Sequence, residues 1–149
     1  MPQNIEKIRK CLATKYVVSS NQLAYNLLFR AIEYEILPLC VRKEISVLCY
    51  SPLMQGLLTG KFATTDEVPE GRARTRHFSC VRPHAHHGED GVEMETFAAI
   101  AQIRQIANEL GEPMTDVCLA WLLAQEGVTS VIVGARNANQ ARSNALPRI

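Results

Sequence analysis

Three groups of polar or glycine-containing residues follow short apolar runs, and their side chains are the ones whose types suit binding chemistry. They lie at residues 20–22 (Ser-Asn-Gln), 50–53 (Tyr-Ser-Pro-Leu) and 134–137 (Gly-Ala-Arg-Asn). If the apolar runs are parallel strands, their carboxyl ends meet at one edge of a sheet, where ligands of α/β proteins bind. We therefore interpret the three groups together as one candidate site.

The third group has the chemistry of a phosphate-binding corner. Gly134 lets the backbone approach a ligand, Arg136 can clamp a phosphate, and Asn137 can open a helix whose N–H groups favour an anion. The alternative is a glycine turn followed by a solvated arginine and an ordinary N-cap. The pattern alone favours this alternative.

The other two groups suit a planar heterocycle. Tyr50 can present a flat aromatic face for stacking, and Gln22 can hydrogen-bond a carboxamide. A rim tyrosine and a glutamine bonded to nearby backbone are the plain alternatives. Neither a Gly-x-Gly-x-x-Gly turn nor a Walker loop occurs, which disfavours a Rossmann or P-loop nucleotide site.

A histidine-rich stretch suggests zinc, but its spacing does not support a metal site. His84, His86 and His87 lie close to Cys80, yet two of the histidines are adjacent and the stretch contains glycine and proline. Metal ligands need regular spacing on a rigid frame. We therefore predict a solvated loop and no metal. No Gly-x-Ser-x-Gly elbow is present to support a hydrolase.

The composition is that of an ordinary globular protein. The chain has 149 residues, 47% of them hydrophobic, and a net charge of +1. This charge predicts no recruitment by nucleic acid or by an anionic membrane, and no apolar run approaches the length of a membrane span. The five cysteines form no C-x-x-C pair and lie mostly in apolar runs, as in a soluble protein of a reducing compartment such as the cytoplasm.

Periodicity predicts alternating helices and strands that would position the candidate site. Helical spacing covers residues 4–14, 27–44 as a kinked or two-piece helix because of Pro38, and 94–110 with Gly111 as C-cap. Thr115 and Asn137 are predicted N-caps of two further helices, the second of which runs through residue 144. The predicted strands are 16–22, 45–50 and 128–134, and residues 54–91 form a long loop.

This order implies a parallel sheet, either part of a doubly wound sheet or an arc of a barrel. Three sequence blocks resemble a known family. Residues 20–33 (Ser-Asn-Gln-Leu-Ala-Tyr-Asn-Leu-Leu-Phe-Arg-Ala-Ile-Glu), 50–62 (Tyr-Ser-Pro-Leu-Met-Gln-Gly-Leu-Leu-Thr-Gly-Lys-Phe) and 131–137 (Val-Ile-Val-Gly-Ala-Arg-Asn) closely resemble the aldo-keto reductases. Their order and spacing match, and the similarity extends over essentially the whole chain, residues 1–149.

The resemblance implies a (β/α)₈ TIM barrel that binds NADP(H) without a Rossmann domain. Such barrels need about 250 residues, so a chain with three predicted strands corresponds to the C-terminal portion of one. An arc of strands leaves edges and an inner apolar face uncovered. We therefore expect a homo-oligomer or association with an N-terminal half. A small-molecule carbonyl substrate is expected only where the barrel is complete.

The resemblance also assigns roles to individual residues. Gln22 would bind the nicotinamide carboxamide, and Tyr50 would stack on the nicotinamide ring. The path of the pyrophosphate would be lined by Ser51, Pro52 and Leu53, with Lys61 and Arg72 in the loop that folds over the cofactor. The adenosine end would be contacted by Gly134, Arg136, Gln140 and Asn144. Many relatives carry Glu at position 143, where this chain has Ser143.

The resemblance does not extend to the catalytic residues of the family. Relatives use an Asp, Tyr, Lys and His tetrad that lies in the N-terminal half of the barrel, and none of the four has a counterpart in this sequence. We therefore assign no catalytic residue and expect little turnover by the chain alone, because a positioned acid contributes about 10²- to 10⁴-fold to such a rate. The alternative function is a non-catalytic cofactor-sensing or oligomerisation module, since some relatives are regulatory partners of membrane channels.

Overall fold

The computed structural model describes residues 2–14 and 17–145. These residues divide into two compact units. The first falls within residues 1–52 and 118–149, and the second within residues 53–117. In the described residues, no helix is long and apolar enough to cross a membrane.

The first unit is built on a parallel three-stranded sheet, which confirms the predicted fold class of a partial barrel. Its strands are β1 (Ser20–Ala24), β2 (Ser46–Tyr50) and β3 (Val128–Ile132), in the order β1-β2-β3. The register places Ala24 opposite Tyr50, and Tyr50 opposite Ile132. The carboxyl ends of the strands therefore lie level at one edge of the sheet.

Helices cover one face of this sheet. They are α1 (Pro2–Leu12) and α2 (Ile36–Arg42), with a 3₁₀ turn at Ala31–Glu33 between β1 and α2. The short helix α5 (Ala138–Asn144) follows β3 and has no buried residue. Of the kinked or two-piece helix predicted over 27–44, the structure has the two-piece form, and Pro38 lies in the first turn of α2, where its missing N–H costs nothing. Core residues of α1 and α2, Ile5 and Cys40 among them, cluster with Val47 of β2.

The strand predicted at 16–22 is wrong in its bounds. β1 begins at Ser20 and ends at Ala24, and Tyr16 lies outside the described residues. Val17, which contributed to the apolar signal, is 89% exposed. Pairing with β2 sets the register instead, so Gln22 lies opposite Leu48, two residues before the end of its strand.

The second unit contains α3 (Glu93–Leu110) and the start of α4 (Met114–Leu123), which continues into the first unit. Gly111 ends α3 in the left-handed conformation, as predicted. Thr115 as N-cap is wrong: the carbonyl of Pro113 accepts the N–H groups of Asp116 and Val117, so the helix already includes Thr115. The N-cap predicted at Asn137 is confirmed, because its side chain accepts the N–H of Gln140.

The long segment between β2 and α3 is irregular but has buried anchors of its own. It contains short 3₁₀ segments at Met54–Thr59, Thr65–Glu67 and Glu70–Arg72, the first of which is interrupted by a kink at Gln55 and Gly56. Val68, Ala73 and Phe78 are almost fully buried. Glu93 at the start of α3 accepts the N–H of Ser79 and pairs with Arg82. The segment is therefore held by specific packing and hydrogen bonds along its length.

Candidate functional site

The exposed face of the sheet carries Gln22 and Tyr50. Both lie on the face opposite the helices, because side chains alternate along a strand and Leu23, Val47 and Cys49 point into the core. Gln22 is exposed and Tyr50 is 43% exposed. The parallel register makes them diagonal neighbours, since Tyr50 lies opposite Ala24, two residues after Gln22.

The backbone after β2 turns sharply at the predicted site residues. Ser51 has a φ of 54°, and Met54 and Gln55 have φ values of 44° and 53°, all in the left-handed region that non-glycine residues rarely adopt. Such conformations persist only where the surroundings hold them, and they concentrate at binding sites. Pro52, between these positions, is buried.

Asn26 is the residue that holds Ser51, and it was not among the residues predicted to form the site. Asn26 is fully buried, and its Nδ2 donates to the carbonyl of Ser51 at 3.0 Å. Its Oδ1 accepts the N–H groups of Leu28 and Phe29, each at 2.9 Å. A polar residue two positions after an apolar strand, with apolar residues on its other side, was the available sequence signal.

The chain leaving β1 is anchored beside Asn26 by a second cluster. The hydroxyl of fully buried Tyr25 donates to Glu33 at 2.6 Å, and Arg30 makes a two-pronged contact with the same carboxylate. The Tyr25 ring packs against Trp121 with centroids 5.4 Å apart. Burial raises the pKa of Tyr25, and the Arg30 guanidinium lowers that of Glu33. Tyr25 is therefore a structural anchor that stays protonated.

In the second unit, Lys61 and Arg72 converge on Gly56. A side-chain carbon placed on Gly56 would lie 2.9 Å from Lys61 Nζ and 3.4 Å from Arg72 Nη1. Arg72 Nη1 also donates to the carbonyl of Gln55 at 3.2 Å, and Lys61 Nζ lies 4.6 Å from the centre of the Phe62 ring. Gly56 has a φ of 99°. The glycine thus supplies both the backbone conformation and the space that the two cations share.

The residues after β3 form a self-bonded loop. Asn144 Nδ2 donates to the carbonyl of Gly134 at 3.1 Å, and the N–H of Arg136 donates to Gln140 Oε1 at 2.9 Å. Gln140 and Asn144 therefore shape the loop, while the Arg136 side chain is exposed. The N–H groups of Arg136 and Gln140 are used within the loop, whereas the exposed Arg136 side chain can bind an anion.

The cysteines form no disulfide, and none of the described residues form a cluster suited to metal binding. Cys49 and Cys118 are buried, and burial raises their pKa values to about 11 and about 12. His87 lies 3.6 Å from the exposed carboxylate of Glu89, and His84 lies 3.7 Å from Glu70. The thiols of Cys49 and Cys118 are therefore protonated core groups at neutral pH.

Comparison with known proteins shows which family this chain belongs to. The family model described as "Aldo/keto reductase family" matches residues 2–146. The chain belongs to the aldo/keto reductase family. It is 32% identical to L-glyceraldehyde 3-phosphate reductase of Escherichia coli O157:H7, covering 96% of this chain and 40% of the relative. It is 35% identical to NADH-specific methylglyoxal reductase of Escherichia coli strain K12, covering 83% of this chain and 35% of the relative.

Other relatives carry a different name. The chain is 30% identical to a probable voltage-gated potassium channel subunit beta of Oryza sativa subsp. japonica, over 83% of this chain and 36% of that protein. The chain therefore spans about 40% or less of the length of these three relatives. Aldo/keto reductases generally use NAD(P)H.

Proposed function

We propose that this chain binds NADP(H) as the cofactor-binding C-terminal portion of an aldo-keto reductase barrel. The observation that carries the proposal is the convergence of Lys61 and Arg72 on Gly56. Two cations at this range repel each other, and an anion between them converts the repulsion into attraction. A dinucleotide pyrophosphate supplies that anion, and the absence of a side chain at Gly56 lets Lys61 and Arg72 come together to bind it.

The nicotinamide end suits the exposed sheet face. The Gln22 amide can both donate to and accept from a carboxamide, and the half-exposed Tyr50 ring can stack on the nicotinamide. Ser51, Pro52 and Leu53 would line the path of the pyrophosphate. The left-handed backbone of Ser51, held by Asn26, supports this assignment because it fixes the direction in which the chain leaves β2.

The adenosine end suits the loop after β3. Gly134 and Arg136 would contact the phosphate of the adenosine, and the exposed Arg136 guanidinium is the group that would favour NADP(H) over NAD(H). Gln140 and Asn144 already hold this loop, and their remaining side-chain atoms would contact the adenine or its ribose. Ser143, on an exposed turn of α5, would not replace the carboxylate that many relatives place there.

In the completed barrel, the bound cofactor supplies a hydride for reduction of a small carbonyl substrate. The part that this chain plays is to bind and orient the cofactor. No residue of the chain is assigned to the Asp, Tyr, Lys and His tetrad, so we expect the 149 residues alone to bind cofactor with almost no carbonyl reduction. We also expect the protein to act in the cytoplasm.

The exposed sheet face implies assembly. Gln22, Tyr50 and Ile132 lie on this face, and Tyr50 and Ile132 are 43% and 45% exposed. Covering apolar surface contributes about 25 cal/mol per Å². We propose that a second copy of the chain, or the strands of an N-terminal half, covers this face.

A second candidate function is a cofactor-sensing subunit. The specific observation behind it is the similarity to a protein named as a potassium channel subunit beta. NADPH binding accompanied by carbonyl reduction, once the barrel is completed, favours the enzyme. Binding without turnover in the completed barrel favours the sensor.

NADPH titration with charge variants tests the proposal. We expect Lys61→Met and Arg72→Met each to weaken NADPH binding by about tenfold, because charge-assisted hydrogen bonds contribute about 1.5–3 kcal/mol. Arg74→Met is the matched control, since Arg74 is an exposed arginine two residues after Arg72. Equal affinities for the wild-type chain and the Lys61 and Arg72 variants would contradict the pyrophosphate role.

A further inference from the structure

Arg104 of α3 bonds to the backbone on both sides of Lys61. Its Nη2 donates to the carbonyl of Gly60 at 3.1 Å and to the carbonyl of Phe62 at 2.8 Å. More than forty residues of chain separate the donor from these acceptors. One guanidinium nitrogen thus holds the carbonyls of the two residues on either side of Lys61.

The two hydrogen bonds from Arg104 to Gly60 and Phe62 form a clamp, and the local backbone shows why this clamp matters. Gly60 ends the 3₁₀ helix Met54–Thr59 with a φ of 76°, and a side-chain carbon there would lie 3.4 Å from the sulfur of Met114. Phe62 is only 8% exposed, whereas Lys61 between them is exposed. The main chain is therefore turned so that its carbonyls face Arg104 while the lysine points away from the core.

Lys61 and Arg72 depend on the backbone to different degrees. Arg72 is fixed by its own bond to the Gln55 carbonyl and by the planar shape of its guanidinium. Lys61 has a flexible four-carbon stem, so the position of its ammonium group follows the direction in which the main chain presents it. A group that fixes residues 60–62 therefore decides how often Lys61 meets Arg72 beside Gly56.

We propose that Arg104 is a positioning residue for phosphate binding, acting through Lys61. This inference rests on the proposed function, in which Lys61 and Arg72 bind the cofactor pyrophosphate. Arg104 itself need not touch the cofactor: both of its described hydrogen bonds go to backbone carbonyls. Its loss would free residues 60–62 and weaken binding while leaving the charges of Lys61 and Arg72 in place.

The variant Arg104→Met tests this directly, because methionine keeps much of the length and removes the donors. Gln105→Met is the matched control, on the next residue of the same helix, where the side chain is exposed and bonds Glu109. Arg104→Lys is the conservative variant, since a single lysine nitrogen can donate to two carbonyls. The first measurement is the carbonyl ¹³C chemical shift of Gly60 and Phe62 by NMR, without cofactor.

We expect both carbonyl resonances to move in Arg104→Met, to move less in Arg104→Lys, and to stay unchanged in Gln105→Met. A general loss of stability would instead spread small changes over the whole spectrum. Unchanged Gly60 and Phe62 carbonyl shifts in Arg104→Met would overturn the clamp itself.

The second measurement is NADPH affinity in a double-variant cycle of Arg104→Met with Lys61→Met. We expect Arg104→Met to weaken binding about fivefold to tenfold, partly rescued in Arg104→Lys. We expect little further loss when it is added to Lys61→Met. Fully additive losses would overturn action through Lys61.

The two proposals fail in different ways in this cycle. If Lys61→Met weakens binding and Arg104→Met does not, the positioning role is wrong and the pyrophosphate role stands. If Lys61→Met leaves the affinity unchanged, the pyrophosphate role is wrong, and the positioning role is overturned with it.

Discussion

The side-chain amide of Asn26 donates a hydrogen bond to the carbonyl of Ser51 at 3.0 Å. This bond joins the chain leaving β1 to the chain leaving β2, at the edge where the two parallel strands end. Because Ser51 has a φ of 54°, its conformation needs such support. A fully buried polar residue thus sets the geometry of the candidate site without belonging to its exposed surface.

Replacing Asn26 by leucine is expected to destabilise the fold by about 2–4 kcal/mol, because three backbone groups each lose one hydrogen bond to the Asn26 side chain. Urea unfolding followed by circular dichroism measures this. Asn108→Leu, on the exposed surface of α3, is the control and should stay within about 0.5 kcal/mol of wild type. Equal midpoints for the two variants would show that the Asn26 contacts contribute little.

Gly91 is expected to be the least replaceable glycine of the long segment before α3. A side-chain carbon there would lie 2.0 Å from the carbonyl oxygen of Phe78, and the φ of Gly91 is 81°. Gly91→Ala should therefore cost more than about 2 kcal/mol of stability. Gly88→Ala is the control three residues earlier, where nothing lies within 4 Å. Similar melting temperatures for the two variants would mean that Gly91 does not pack against Phe78 in solution.

The side chain of Arg136 is expected to discriminate between the two nicotinamide cofactors. Arg136→Ala should weaken NADPH binding by about tenfold and NADH binding by much less, since a charge-assisted phosphate contact contributes about 1.5–3 kcal/mol. Titration of both cofactors, with Arg142→Ala on α5 as the control, measures the difference. Equal losses for NADPH and NADH would remove Arg136 from the 2′-phosphate role.

The sequence predicted the layout of the fold but not the contacts that shape the site. Apolar periodicity and N-cap chemistry are local properties of the sequence. The bounds of α3 and β2 and the N-cap at Asn137 were therefore predictable to within a residue or two. The bounds of β1 were not, because its register depends on pairing with β2 rather than on its own apolar residues.

The candidate site was likewise predictable only in part from the sequence. Its residue types were available from the resemblance to a family, whereas the buried role of Asn26 and the clamp by Arg104 depend on contacts between distant segments. Thr115 was predicted wrongly from local chemistry. Its side chain suits an N-cap, but the helix begins before it, because the carbonyl of Pro113 already accepts N–H groups of the first turn.

The exposed sheet face is expected to be covered in solution. The chain should sediment at micromolar concentration as a dimer or larger assembly, or bind a polypeptide that carries the remaining strands, because the apolar groups and strand edges on this face favour burial. Tyr50→Asp, at the exposed end of β2, should weaken that assembly. A compact monomer that melts cooperatively would contradict this expectation.

The most direct test of the account is an NMR titration of the ¹⁵N-labelled chain with NADPH. We expect saturable shifts of the amide resonances of Gln22, Tyr50, Gly56, Lys61 and Arg136. We also expect Lys61→Met to raise the NADPH concentration needed for half-saturation. Absence of any saturable shift, or shifts confined to other residues such as those at 84–91, would contradict the claim that this chain is the cofactor-binding portion of an aldo-keto reductase.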